Sequence, residues 1–225
     1  MESEVNAILA HELKSPLVLM RQLALSMDLD SPEKLSRTQD QLVSVSERAL
    51  RQVNDLTKIA RLEDGLFELE PVSPRALCDE VTRELRYLFR FNHRDLEIHY
   101  RNKAKLAVAN RELLYSVIYN FCLNAMHYSD SETRSLLTIK DRHQKIRIDI
   151  RDFGPALPMD VWRELKRGWL EKPTSIAMRP GSSGLGLYIA TKFAHYMHAK
   201  TGAIRHRDGT SFYIELPVSM QASLF

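Results

Sequence analysis

The sequence predicts a multidomain α and α+β protein: a helical hairpin at the N-terminus, followed by a larger domain of helices and a mostly antiparallel sheet. Three observations predict it. Apolar residues recur in heptads through the first sixty residues. The texture changes after Gly65, where prolines and extended segments begin. Beyond that point, short alternating runs are interspersed with helical ones.

From Glu4 to about Met27 there is no glycine, and Leu9, Leu13, Pro16, Met20, Leu23 and Met27 recur at spacings of four and three. That is a heptad seam. With Leu13, Met20 and Met27 at a, and Leu9, Pro16 and Leu23 at d, His11 takes f and should point into solvent. Pro16 removes one backbone donor, which predicts a kink one turn after His11. The segment DLDSPEK is a helix stop and restart, with Ser31 as N-cap, Pro32 at the first helical position and Glu33 in the first turn.

In the second helix Leu35, Leu42, Ala49 and Leu56 repeat every seven residues, with Val45 and Ile59 beside them, until LEDG breaks it after Arg61. One hairpin cannot enclose its own apolar stripe. A homodimer forming a four-helix bundle would do so. Periodicity alone fits equally a hairpin packed on the rest of its own chain.

The boundary falls near Leu66, dividing the chain into residues 1–65 and 66–225. FELEPVSPRAL is extended and leads into a helix from Ala76 to Phe91. Then come the strand LEIHYR, a short LAVA, a helix from about Asn110 to Tyr128, the strands LLTIK and KIRIDIR, a helix after Gly184, and GAIRH paired with TSFYIEL across the turn RDGT.

Composition narrows the function. Over 225 residues the formal charge is +3, with Lys and Arg interleaved among Asp and Glu, so charge implies neither nucleic acid nor a membrane surface as partner. Cys78 and Cys122 lie far apart without metal-ligand spacing. No apolar run is long enough to cross a bilayer, and MESEV lacks a signal-peptide pattern, so a reducing cytoplasm is the expected location.

Four local patterns carry chemistry. In AHELKSPL, His11 stands beside Glu12, a carboxylate able to take the proton from one ring nitrogen and leave the other as a neutral nucleophile. In YNFCLNAMHYS, Asn120 and Asn124 are four apart on one helix face, where amide oxygens can meet Mg²⁺ and amide nitrogens can meet phosphate. IRDFGPALP follows an alternating strand and carries Asp152 and Gly154. RPGSSGLGLYIA places Gly181, Gly184, Leu185 and Gly186 ahead of a helix, where backbone N–H groups favour an anion.

Together and in this order, these patterns resemble the H-box, N-box and two glycine boxes of bacterial sensor histidine kinases, whose ATP-binding domain is an α/β sandwich of the Bergerat type. The resemblance covers nearly the whole chain. It implies that His11 is the phosphoacceptor, Glu12 its general base, and Asn124 the Mg²⁺ ligand. It also implies that Asp152 accepts from the adenine amino group, and that Asn120, His127, Tyr128, Gly154, the Gly181–Gly186 loop and Thr210 surround ATP. Ser15, four residues after His11, would orient the water in a weak phosphatase reaction.

The implied partners are a second copy of the chain and the receiver domain of a response regulator, whose aspartate takes the phosphoryl group. The ATP domain is expected to swing on the linker from Leu62 to Pro74, and the stretch between Pro158 and Gly181, with Lys172, Pro173 and Arg179, reads as an ATP lid. Such a kinase normally carries a sensing or membrane segment upstream, so the chain reads either as an excised fragment or as a kinase whose input comes from another protein.

Two positions depart from the family pattern: His127 replaces a Lys or Arg, and Ala156 replaces a Gly. They favour an alternative, a scaffold or phosphotransfer protein with a degenerate ATP domain. A hydrolase is disfavoured because Asn120 stands where gyrase-like relatives place a catalytic Glu, and an amide cannot act as a general base.

Overall fold

The computed structural model describes residues 2–28, 31–100, 105–130, 133–142, 144–159, 162–163 and 185–220, with the side chains of residues up to 13 and of residue 142 outside the description. Helices α1 (Glu2–Leu25) and α2 (Pro32–Ala60) form the hairpin. The half-buried positions of α1 after residue 13 include Pro16, Met20 and Leu23, with Met27 just beyond the helix, so the predicted seam lines the contact with α2. Helix α1 continues through Pro16. Ser31 takes the N-cap position with extended backbone angles, but its side chain makes no capping hydrogen bond, and Pro32 and Glu33 begin the helix.

A 3₁₀ turn (Leu62–Asp64) closes on Gly65, which adopts φ 66° and turns the chain out of α2. The linker is shorter than expected. Phe67 and Leu69 already pack on the core of the second domain, Phe67 edge-on to Tyr196, and β1 (Glu70–Val72) pairs antiparallel with β3 (Ala107–Ala109).

Helix α3 (Pro74–Phe91) starts two residues earlier than predicted, because Ser73 caps it by accepting from the Ala76 amide and Pro74 fits the first turn. Helices α4 (Arg111–Tyr128) and α5 (Leu185–Tyr196) complete the helical layer. The main sheet runs in the order β2 (Asp95–Tyr100), β4 (Arg134–Arg142), β5 (Lys145–Arg151), β7 (Gly209–Pro217) and β6 (Lys200–His206), with only the β2–β4 pair parallel. This is the mixed, mostly antiparallel sheet that the strand spacing predicts.

Period-two alternation explains its two faces. Ile146, Ile148, Ile150, Leu137, Phe212, Ile214 and Leu216 are fully buried in the core cluster with the residues of α3, α4 and α5. The intervening residues carry a polar network on the other face. Arg147 donates to Asp149 at 2.9 Å and to Glu215 at 3.2 Å while its guanidinium lies 3.5 Å from the centre of the Tyr213 ring. Cys78 and Cys122 are buried, and burial pushes both thiols up, so neither is a reactive thiolate.

Candidate functional site

Helix α4 organises the site. Asn110 caps it by accepting from the amides of Glu112 and Leu113, and Glu112 favours the positive end of the helix. Its core face is fully buried through Leu113, Leu114, Val117, Ile118, Phe121 and Cys122. That fixes the rotation of α4 and leaves Asn120 and Asn124 half-buried at the margin of the core. The Nδ2 atoms of both amides are buried and have no hydrogen-bond partner. Two unmatched donors four residues apart fit a ligand rich in acceptor oxygens, such as a phosphate chain.

The end of α4 meets the end of β5. Asp152 is fully buried; its backbone N–H donates to the Thr210 carbonyl at 2.9 Å, and its Oδ1 accepts from the Thr210 N–H at 2.9 Å. One carboxylate oxygen is therefore held by the first turn of β7, which fixes the side chain in place. Gly154 lies so close to α4 that a Cβ there would stand 1.8 Å from the Tyr128 carbonyl oxygen. The contact that demands glycine here is with the last residue of α4. A cavity of about 100 Å³ opens between Tyr128, Asp152, Ala156, Leu157, Thr210 and Phe212. Ala156 forms part of its wall.

Helix α5 closes the other side. Leu185 is buried, and a Cβ on Gly186 would approach Asn120 Oδ1 to 3.0 Å, so this glycine is a point of close contact between α5 and α4 rather than part of the loop before the helix. Gly181 and Gly184, with the lid residues Lys172, Pro173 and Arg179, lie outside the described residues. So do the side chains of His11 and Glu12, although the backbone of both is helical within α1. Ser15 is exposed on the same helix. Among the described residues there is no group of three or more His, Cys, Asp or Glu able to hold a metal.

Sequence reasoning missed Gly209, Asp55 and Arg48. Gly209 has φ 136°, and a Cβ there would stand 2.1 Å from the Asp152 carbonyl oxygen, so the Asp-Gly pair that marks the turn also protects the Asp152 pocket. Asp55 and Arg48 belong to α2, which docks on α4. Ser116 donates to the buried Asp55 at 2.8 Å, Arg51 pairs with Glu84 and covers the Tyr119 ring at 3.9 Å, and Lys58 stands 3.7 Å from Glu112. Arg48 reaches His127, the position at which the family pattern has a cation. Crowding by the protein, then the Arg48 and Arg94 guanidiniums, push the His127 imidazole down to about 4, and it is neutral even though part of the ring meets water. Contacts between a helical hairpin and a separate domain leave no periodic signature, so heptads alone gave no warning of them.

A helix-covered sheet, two unmatched amides on one helix face and a buried carboxylate at the mouth of a cavity together define a nucleotide-binding domain. Residues 109–220 match the family described as histidine kinase-, DNA gyrase B-, and HSP90-like ATPase. This segment belongs to that family, and the chain as a whole is similar to the catalytic cores of sensor histidine kinases.

The chain is 27% identical to the adaptive-response sensory kinase SasA of Synechocystis sp. over 96% of its own length and 59% of the relative's. It shares its fold with histidine kinase ThkA solved with the response regulator protein TrrA (TM-score 0.67, 21% identity, 96% of this chain and 61% of that one). A further match is full-length ShkA in complex with AMPPNP (TM-score 0.65, 23% identity, 96% of this chain and 46% of that one). The chain spans between 19% and 59% of the length of the first curated relatives it matches.

Proposed function

We propose that this chain works as a homodimeric two-component sensor kinase core, which uses Mg·ATP to phosphorylate His11 and passes the phosphoryl group to an aspartate on a response regulator receiver domain. The observation that carries this reading is the pair of buried, unmatched amide nitrogens on Asn120 and Asn124, set between the Asp152 cavity and a docked phosphoacceptor-type hairpin. Bound Mg²⁺ would neutralise phosphate charge in the transfer.

The chain's own residues divide the remaining work. Asp152, braced by Thr210, offers its second oxygen to the adenine amino group. Tyr128 and Leu185 flank the site, and Gly154, Gly181, Gly184 and Gly186 set the backbone around it. Asn120 donates to phosphate, and Asn124 holds the metal. Glu12 accepts the proton from His11, whose free nitrogen attacks in line. The one carboxylate on α4, Glu112, stands in its first turn, about two turns from Asn120, so α4 places none beside Asn120 to activate water. Asp55 does approach Asn120, but it is engaged by Ser116 and Lys58. ATP therefore survives until His11 is presented. Ser15 orients the water for a weak reverse reaction on the regulator. Nothing in the described site favours the degenerate alternative.

Incubation with γ-labelled ATP tests this: the expected result is acid-labile label on the parent and none on His11→Ala, which keeps its nucleotide affinity. Label retained on His11→Ala would overturn the assignment, and Asn124→Ala should lose the Mg²⁺ dependence of binding. For the reverse reaction, Ser15→Ala should slow decay of the phosphorylated regulator and Ser15→Thr should speed it, because the β-methyl restricts the hydroxyl rotamer.

A further inference from the structure

The ligand face of α4 has no cation of its own. Asn120, Asn124 and His127 share it, and all three are neutral. Of the described cations near this face, Arg51 is paired with Glu84 and stacked on Tyr119, and Arg94 gives Nε and Nη2 to the Ser129 carbonyl. Arg48 alone among them is aimed at the helix face itself, with Nη1 3.4 Å from His127 Nε2. A guanidinium has no acceptor, so in this contact Arg48 donates and Nε2 accepts. The imidazole proton is then confined to Nδ1, and the ring is polarised by a full positive charge behind it.

Arg48 belongs to the phosphoacceptor hairpin, not to the ATP domain. In an antiparallel pair of helices, residues equally far from the connecting turn lie side by side, and His11 and Arg48 each stand roughly 25 Å of helix from that turn. The cation therefore reaches α4 at the level of the phosphoacceptor.

We propose that Arg48 is a positioning residue for the phosphate chain: it fixes and polarises His127 so that the Arg48–His127 pair supplies, from two domains, the positive character that α4 lacks. This rests on the nucleotide-binding reading above. The pair exists only while hairpin and ATP domain are docked, so charge complementarity toward the phosphates is completed where His11 is within the same assembly. ATP held by an undocked domain would lack it. The logic is that of a cation supplied across an interface at the moment of transfer.

The test uses the whole chain, with Mg·AMPPNP and ADP as binding probes and autophosphorylation as a second readout. Arg48→Ala should weaken Mg·AMPPNP binding about tenfold, as expected for loss of one charge-assisted hydrogen bond, with a smaller effect on ADP. The labelling rate should fall in parallel. The double variant Arg48→Ala/His127→Lys should recover most of both losses, since a lysine on α4 itself needs no donor from the hairpin. Unchanged binding and labelling in Arg48→Ala would overturn the proposal. So would a loss that His127→Lys fails to rescue, which would make Arg48 a mere brace between domains. If the parent binds Mg·AMPPNP yet takes no label, the kinase reading falls while the binding arm still decides on the pair. If the parent does not bind it, both fall.

Discussion

At Gly154 a single methyl group has nowhere to go, because the Tyr128 carbonyl occupies its place and both partners are backbone. Neither can rotate away as a side chain would. Gly154→Ala must push the start of the 153–158 segment off the end of α4, at a cost of about 1–3 kcal/mol or more. It also displaces the cavity wall next to Asp152. Thermal unfolding should show a lower midpoint, and nucleotide affinity should fall more steeply than stability alone explains; a variant with parental melting and affinity would show that the loop shifts freely. Ala156 is a half-buried part of the cavity wall, and Ala156→Gly, which removes only a methyl there, should leave nucleotide affinity within a few-fold of the parent. Asp152 differs again, since its Oδ1 is already committed to the Thr210 N–H. Asp152→Asn keeps the shape of the side chain but offers an amide nitrogen to one of two sites that both need an acceptor, and it should cost adenine nucleotide affinity by roughly tenfold.

Between elements, the α2–α4 contact turns on Asp55. Burial pushes its carboxyl up, against the opposing pull of the Ser116 hydroxyl and Lys58. The folded protein therefore holds this proton more tightly than the unfolded chain, and docking loses stability as pH rises from the unfolded value near 4 through the raised folded value. At neutral pH the charge is a net burden, so Asp55→Asn, which can still accept from Ser116, should melt at or above the parental temperature at pH 7. Asp55→Ala strands the Ser116 hydroxyl and should cost about 1–3 kcal/mol. An Asn variant less stable than the Ala variant would refute this account.

The same elements show what the sequence discloses. The seam of Pro16, Met20, Leu23 and Met27 and the alternation of KIRIDIR were legible because packing on one face imposes a period. The lack of a Ser31 cap, the parallel pairing of β2 with β4 and the seat of Asp55 on Ser116 were not, because each depends on where a distant segment comes to rest. Site residues divide the same way: Asn120 and Asn124 announce themselves by spacing, whereas Gly209 and Arg48 matter only through a neighbour far along the chain.

The two domains differ in how far they bury their apolar side chains, and that difference bears on assembly. In residues 66–220 the core holds many side chains with no exposed surface, among them Phe89, Phe121, Phe193 and Phe212. In the described part of α1 and α2 the one fully buried residue is Asp55, and the seam leucines and methionines are only partly buried. Leu17, Leu25, Val43 and Leu50 are exposed, Leu50 at 61%. A hairpin of this length that leaves its seam only partly buried and these four side chains in water has hydrophobic stabilisation still to gain, at roughly 25 cal/mol for each Å² still to be covered. The ATP domain covers only the C-terminal end of the α2 seam, where Leu56 and Ile59 pack against its core, and otherwise α2 meets α4 through Arg48, Arg51, Asp55 and Lys58. A second hairpin with the same heptad period can cover the rest. Sedimentation of the whole chain at micromolar concentration should therefore give a dimer. Val43→Glu/Leu50→Glu, which alters only side chains already in water within one protomer, should shift it to monomer while leaving the unfolding of the ATP domain unchanged. A parental monomer at that concentration would exclude the four-helix bundle. A dimer that survives both glutamates would show that the hairpins meet on a face other than the one carrying Val43 and Leu50.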